Sequence, residues 1–310
     1  MSGERKKDEQ KKTAFAAIVG RPNVGKSSIL NALLGQKVAA VSPKPQTTRT
    51  RIMGVLTENN VQLVFTDTPG LHRPKTRLGD YMVRAVNDSV AGVDFSALVV
   101  EAYGGETEIP PAETRLIEQF STLNQPAILV INKIDRLERK ELIAERIARY
   151  AALFDFAAVI PVSALRGTGM DALKSELMDM AQPGPWFFPG DALTDQPERV
   201  LAAEMIREAA LRLLSDEIPH GVAVDIELMR ERVGRDDLMD IRATIYCERE
   251  SHKGIIIGKG GAMLKRIGGA SRAEIERFLG VQANLELWVK VREGWRNREN
   301  SLRMFGYGES

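Results

Sequence analysis

One cysteine in 310 residues rules out any disulfide within the chain and fits a reducing compartment. That residue, Cys247, stands in the alternation Ile241, Ala243, Ile245, Cys247 and reads as a buried strand position rather than a nucleophile. No apolar run reaches the ~18–20 residues that span a bilayer, so no transmembrane segment is expected. Residues 1–12 are polar and charged and lack the apolar core of a signal peptide; they read as a solvated tail. An excess of either charge is missing too, the formal net charge being +1. That balance hides a segregation: acidic residues outnumber basic ones over 191–248, and basic outnumber acidic over 249–310. A basic block inside a near-neutral chain points to a face that binds a polyanion.

What is present is enough for two folded units of about 100–200 residues, each able to bury a core. The first 180 residues alternate strand and helix signals. Strands are expected at 15–19, 61–65, 97–100, 127–131 and 157–160. Helices are expected at 27–34, 80–91, 112–123, 138–152 and 170–180. Such alternation implies an α/β unit with a mostly parallel sheet and helices on both faces. Six Pro and Gly residues then crowd 182–197, a linker signal. Beyond it the order changes to helix (198–214), strand (222–229), strand (238–247), a glycine-rich turn (258–261), helix (262–279) and strand (283–291), which describes a smaller α+β unit. The expected organisation is a tail at 1–13, a first unit at 14–181, a linker at 182–197, a second unit at 198–300 and a tail at 301–310.

The strongest string is Gly20-Arg-Pro-Asn23-Val24-Gly25-Lys26-Ser27, followed by Ser28. It leaves a strand and opens a helix, as a phosphate-binding loop must. Its glycines let backbone N–H groups turn toward phosphate oxygens, and the helix N-terminus adds its dipole. Lys26 would reach the β- and γ-phosphates, and the Ser27 hydroxyl would bind Mg2+. Asp67-Thr-Pro-Gly70 follows a second strand, placing Asp67 near the Mg2+ and giving Gly70 an N–H for the γ-phosphate. Asn132-Lys133-Ile-Asp135 follows a third. A carboxylate at Asp135 accepts two donors, and guanine offers two on one edge, N1–H and the 2-amino group, where adenine offers no such pair. Asn132 would brace the loop and the Lys133 stem would lie over the base. Ser163-Ala164 follows a fourth strand and could offer a backbone N–H to guanine O6. Between Gln36 and Thr50 the polar run Gln46-Thr47-Thr48-Arg49-Thr50 reads as a switch segment, with Thr47 and Thr48 as competing Mg2+ ligands.

These motifs resemble the TRAFAC class of GTPases, and the strings Gly-Arg-Pro-Asn-Val-Gly-Lys-Ser, Lys-Pro-Gln-Thr-Thr-Arg and Asp-Thr-Pro-Gly-Leu-His are similar to the Era family. So is the run from His252 to Gly268, which resembles that family's RNA-binding KH domain. Ser28 and Glu101 depart from its usual Thr and Asp. The resemblance implies a P-loop GTPase domain followed by a type II KH domain. It implies GTP or GDP with Mg2+, and K+ at Asn23. It also implies binding to small-subunit ribosomal RNA near its 3′ end, a role in small-subunit assembly, a monomer, and a cytoplasmic location with loose association to the inner face of the membrane. Ras-like switches orient the attacking water with a Gln that here is Leu71, so intrinsic turnover is expected to be slow.

In the second unit Gly258-Lys259-Gly260-Gly261 would let an RNA backbone approach closely, with Lys253, Lys259, Lys265 and Arg266 supplying charge. Trp288 is expected in the core, and Trp295, among Arg and Lys residues, is weighed as a stacking contact. Two other functions compete. A metabolic kinase or ATPase is disfavoured by Asn132 to Asp135. An RNA-binding protein with a merely structural nucleotide site is disfavoured by Lys26, Ser27 and Asp67.

Overall fold

The structure is a computed structural model that describes residues 10–42, 52–67, 77–78, 88, 90–102, 108–137, 139, 141–215 and 218–307, the side chains of Ile52, Asp67, Pro219 and His220 excepted. The first unit holds strands β1 (Lys12–Val19), β2 (Ile52–Glu58), β3 (Val61–Asp67), β4 (Phe95–Glu101), β5 (Ala127–Asn132) and β6 (Ala158–Pro161). Its helices are α1 (Lys26–Leu34), α2 (Pro111–Leu123), α3 (Glu141–Ala151) and α4 (Met170–Asp179). The sheet order is β2-β3-β1-β4-β5-β6. All pairs on this path are parallel except β2 with β3.

The alternation of β1 explains the layering. Ala14, Ala16 and Ile18 face a core with α1 and α4, while Ala17 and Val19 face a second core with α2 and α3. A strand covered on both sides reads as one apolar run, which is how it stands in the sequence. β1 has β3 on one side and β4 on the other, so the strand order reverses at its carboxyl end. In open α/β sheets that crevice is where ligands bind.

β2 has no counterpart in the elements read from sequence, because Gly54 interrupts its apolar pattern. A Cβ at Gly54 would meet Leu30 Cδ1 at 2.7 Å and Leu34 Cδ1 at 2.9 Å, so glycine lets α1 pack onto this strand. The segment 182–197, expected as a linker, is strapped to the first unit. β7 (Gln182–Pro183) pairs with the start of β1, and the Phe187 ring meets Phe15 edge-on. Gln62 Oε1 accepts the N–H groups of Phe187 and Phe188, and Val55 N–H donates to Leu193 O at 2.9 Å. The strap thereby covers the free edge of β2, which would otherwise offer unpaired backbone groups.

The second unit holds α5 (Glu198–Leu213), β8 (Ala223–Arg232), β9 (Arg235–Cys247), α6 (Glu250–Ile257), α7 (Ala262–Leu279), β10 (Gln282–Val291) and α8 (Glu299–Met304). Its sheet runs β10-β9-β8, with β9 and β10 parallel. Cys247 is fully buried in β9, as the alternation indicates. Trp288 does not take the core place expected for it, and Trp295, weighed as a stacking contact, is in the core. Trp288 is 57 % exposed on the open face of β10, whereas Trp295 is fully buried and donates its indole N–H to Gly221 O at 2.8 Å. Residues 301–307, expected as a tail, supply buried Leu302 and Tyr307, which pack with Tyr246 around Trp295. Among the described residues no helix is long and apolar enough to cross a membrane.

Candidate functional site

The loop from Gly20 to Gly25 connects β1 to α1, and glycine is required at both ends of it. Gly20 has φ +147° and a Cβ there would lie 2.3 Å from Val99 O; Gly25 has φ +101° and a Cβ would lie 2.2 Å from Asn132 Nδ2. Lys26 opens α1, is buried, and donates to the carbonyls of Gly20 (3.1 Å) and Arg21 (3.0 Å), so its ammonium sits across the loop. A cavity of about 480 Å³ opens there, lined on one side by Asn23, Gly25, Lys26, Ser27 and Ser28 and on the other by Lys133, Asp135 and Ala164. Residues 40–42 and Glu101 also line it.

Asn132 ties the two sides together. Its Nδ2 donates to Val24 O at 2.9 Å and its Oδ1 accepts the Ala164 N–H at 3.1 Å. The buried carboxamide thereby finds a donor for its oxygen. Ser163 Oγ donates to Asp135 Oδ1 at 2.5 Å and accepts the Arg166 N–H at 3.1 Å, fixing the carboxylate at the cavity edge. Lys133 has φ +65°; its ammonium donates to Asn23 O at 2.5 Å and pairs with Glu101. In the sequence Glu101 stands out only as a departure from the usual Asp. Its extra methylene lets the carboxylate grip Lys133 and, through it, the phosphate loop.

A second brace joins residues that no motif of the sequence brings together. Glu113 on α2 is fully buried and accepts from Arg21 Nε at 2.7 Å and from the Tyr150 hydroxyl. Burial and the adjacent carboxylate push the Tyr150 phenol far above its ordinary pKa, so it stays a donor. No local string signals this pair, since Arg21 and Glu113 are 92 residues apart.

The chemistry of the donor set fits a magnesium nucleotide: a loop of N–H groups, one ammonium and the Ser27 hydroxyl share one cavity wall. Asp67 ends β3 beside β1, in register with Ile18. Gln46, Thr47, Thr48, Arg49, Thr50, Gly70 and Leu71 lie outside the described residues.

In the second unit α6 ends at the 258–261 turn and α7 begins there. Gly258 has φ +73°, and a Cβ on it would come within 2.8 Å of Met263; Gly260 and Gly261 also have positive φ but border open space. A groove of about 470 Å³ runs between α7 and β10, lined by Gly261, Lys265, Gly268 and Arg272 from one face of the helix and by Leu285 and Leu287 from the strand. The spacing 261, 265, 268, 272 is one helical stripe. Of the expected contacts, Gly261 and Lys265 line this groove. Lys259 and Arg266 are exposed outside it, and Lys253 lies 3.8 Å from Glu250. Arg272 escaped the sequence reading, although its stripe with Lys265 could have revealed it.

Both units match known families. Residues 15–133 match the family described as 50S ribosome-binding GTPase, and residues 217–296 match the KH domain family. The chain is 50% identical over 296 residues to GTPase Era of Ruminiclostridium cellulolyticum, covering 96% of this chain and 97% of that protein. It is 48% identical over 298 residues to GTPase Era of Clostridioides difficile, covering 96% and 99%. Two solved structures superpose with a TM-score of 0.90 at 39% identity, over 96% of this chain and 100% of theirs. One is an Aquifex aeolicus Era variant bound to GDP·AlF4−; the other is Era in complex with MgGDPNP and nucleotides 1506–1542 of 16S ribosomal RNA. With half of its aligned positions identical to a curated relative along nearly the whole length of both, the chain belongs to the Era family of GTPases.

Proposed function

We propose that the chain is a GTP-driven switch that binds Mg2+-GTP in the cavity beside Lys26 and holds the 3′ end of small-subunit ribosomal RNA in the α7–β10 groove, acting in assembly of that subunit. One observation carries the nucleotide half: Asn132 bonds the phosphate loop and the Ser163-Ala164 loop at once, so the phosphate and base contacts form a single assembly. Ser27 and Asp67 hold the Mg2+ with one of Thr47 and Thr48. The Asp135 carboxylate takes N1–H and the 2-amino group of guanine. K+ at Asn23 offsets charge that develops on the phosphates, and peripheral contact with a membrane accompanies the ribosomal role. The RNA half is supported by the groove beside 258–261, and by the Era relative solved with MgGDPNP and a 16S fragment at 39% identity.

The test is binding of a short RNA matching the 3′ end of 16S rRNA, with a GTP analogue, with GDP and without nucleotide, at two salt concentrations. Specific binding that weakens with salt and responds to nucleotide supports the reading. Binding no tighter than that of a scrambled RNA in all three states overturns its RNA half, and absence of GTP turnover overturns the other.

A further inference from the structure

The wall of the nucleotide cavity formed by residues 40–42 is held from two directions. From inside the GTPase unit, Asn31 on α1 accepts the N–H groups of Val38 (3.0 Å) and Ala39 (2.9 Å) and donates to Ala39 O (2.8 Å). From the KH unit, Glu208 on α5 reaches across. Its Oε1 accepts Lys37 Nζ at 2.8 Å and its Oε2 accepts the Val41 N–H at 3.1 Å. The Glu208 side chain is 2 % exposed. Lys37 also donates to Glu274 Oε2 at 3.3 Å, and Glu274 lies on α7, the helix that lines the RNA groove. The same unit takes hold of the chain a second time: Leu78 is buried among Tyr246, Trp295, Leu302 and Tyr307, and the Arg77 N–H donates to Asn297 Oδ1 at 3.3 Å.

A carboxylate this buried is costly unless each oxygen has a donor, and removal of one donor leaves the charge uncompensated. Here both hydrogen-bond donors belong to the GTPase unit, one of them a backbone N–H of the cavity wall, while Arg212 on α5 itself lies 3.6 Å from Oε1 as a weaker ion pair. We propose that Glu208, with Lys37, is a positioning residue of the nucleotide site supplied by the KH unit: it fixes residues 40–42 against the phosphate loop and so sets the affinity for the triphosphate. Ser42 stands four residues before Gln46, where the segment begins whose threonines are proposed to meet Mg2+ and the γ-phosphate. Displacement of this wall therefore penalises GTP more than GDP. The inference rests on GTP occupying this cavity and is indifferent to which RNA is bound.

The experiment measures the affinities of the full chain for fluorescent GDP and for a fluorescent non-hydrolysable GTP analogue with Mg2+ and without RNA, in the parent and in Lys37→Met, Glu208→Gln and the double variant, with thermal midpoints alongside. The expected result is a loss of roughly fivefold or more for the GTP analogue, a smaller loss for GDP, and a double variant no worse than Glu208→Gln. Lys37 is a quarter exposed, so its variant keeps the test open should Glu208→Gln fold poorly. Unchanged affinities, or equal losses for both nucleotides in step with a lower midpoint, would overturn the proposal. Failure of the parent to bind either nucleotide would instead sink the GTP reading itself.

Discussion

At the scale of single residues the base contact gives the sharpest expectation. Ser163 Oγ already donates to Asp135 Oδ1, so the remaining lone pairs of the carboxylate are the ones that face the cavity. In the proposed base contact, guanine brings two donors to them. Asn at this position presents one acceptor and one donor, which matches xanthine, with its N1–H and its 2-oxo group. Asp135→Asn should therefore weaken GTP by at least about 100-fold, the loss of two hydrogen bonds to a charged group, while XTP binding rises; a fluorescent-nucleotide competition assay reads both. Unaltered GTP preference would remove Asp135 from the base contact. The residue was legible because its role lies in a local string after a strand. Glu101, Glu113 and Glu208 were not, since their partners are 32, 92 and 171 residues away and only the fold brings them together.

Among elements, the two tryptophans separate what the pattern contained from what was read out of it. Leu285, Leu287, Val289 and Val291 pack on the KH core, so period two sends Trp288 outward. Trp288 is expected in the core from the sequence, but the alternation places it on the open face. Trp295 follows Gly294, which has φ +58°, and its ring meets Phe305 at 5.1 Å. Trp295→Ala empties that site and leaves Gly221 O without its donor; the expected cost is about 3–5 kcal/mol. Trp288→Ala, on the open face, should stay within about 0.5 kcal/mol of the parent. Chemical denaturation of both variants makes the comparison, and equal losses would contradict the assigned faces. The β8–β9 hairpin adds a pH dependence. Hydrogen bonds from Arg232 and Asn284 push Asp240 down to about 2 from an ordinary 3.8. A depressed carboxylate stabilises the fold above its unfolded pKa, and that contribution is lost as pH falls from about 3.8 through about 2. A carboxyl NMR titration should find this midpoint, and Arg232→Ala should move it back toward the ordinary value.

For the whole molecule, the parallel sheet and the order of the KH elements were legible because buried strands and long helices carry their own periodicity. The mutual placement of the units was not. The Pro-rich segment reads in the sequence as a linker, yet it is pinned along β1, β3 and β2, and Lys37 and Leu78 add contacts between the units. Such contacts join the nucleotide cavity to α7, whose other face lines the groove proposed for RNA, so the two ligands should be linked. Linkage is reciprocal: the factor by which a GTP analogue changes RNA affinity must equal the factor by which RNA changes analogue affinity. We expect that factor to lie between about 5 and 150 and to shrink toward one in Glu208→Gln, because the carboxylate that carries α5 onto the cavity wall is then uncharged. Calorimetric titration of the RNA with and without analogue, and of the analogue with and without RNA, closes the cycle. A factor of one in the parent would mean that the pinned interface transmits nothing, and that the switch addresses the ribosomal particle by a surface other than the groove.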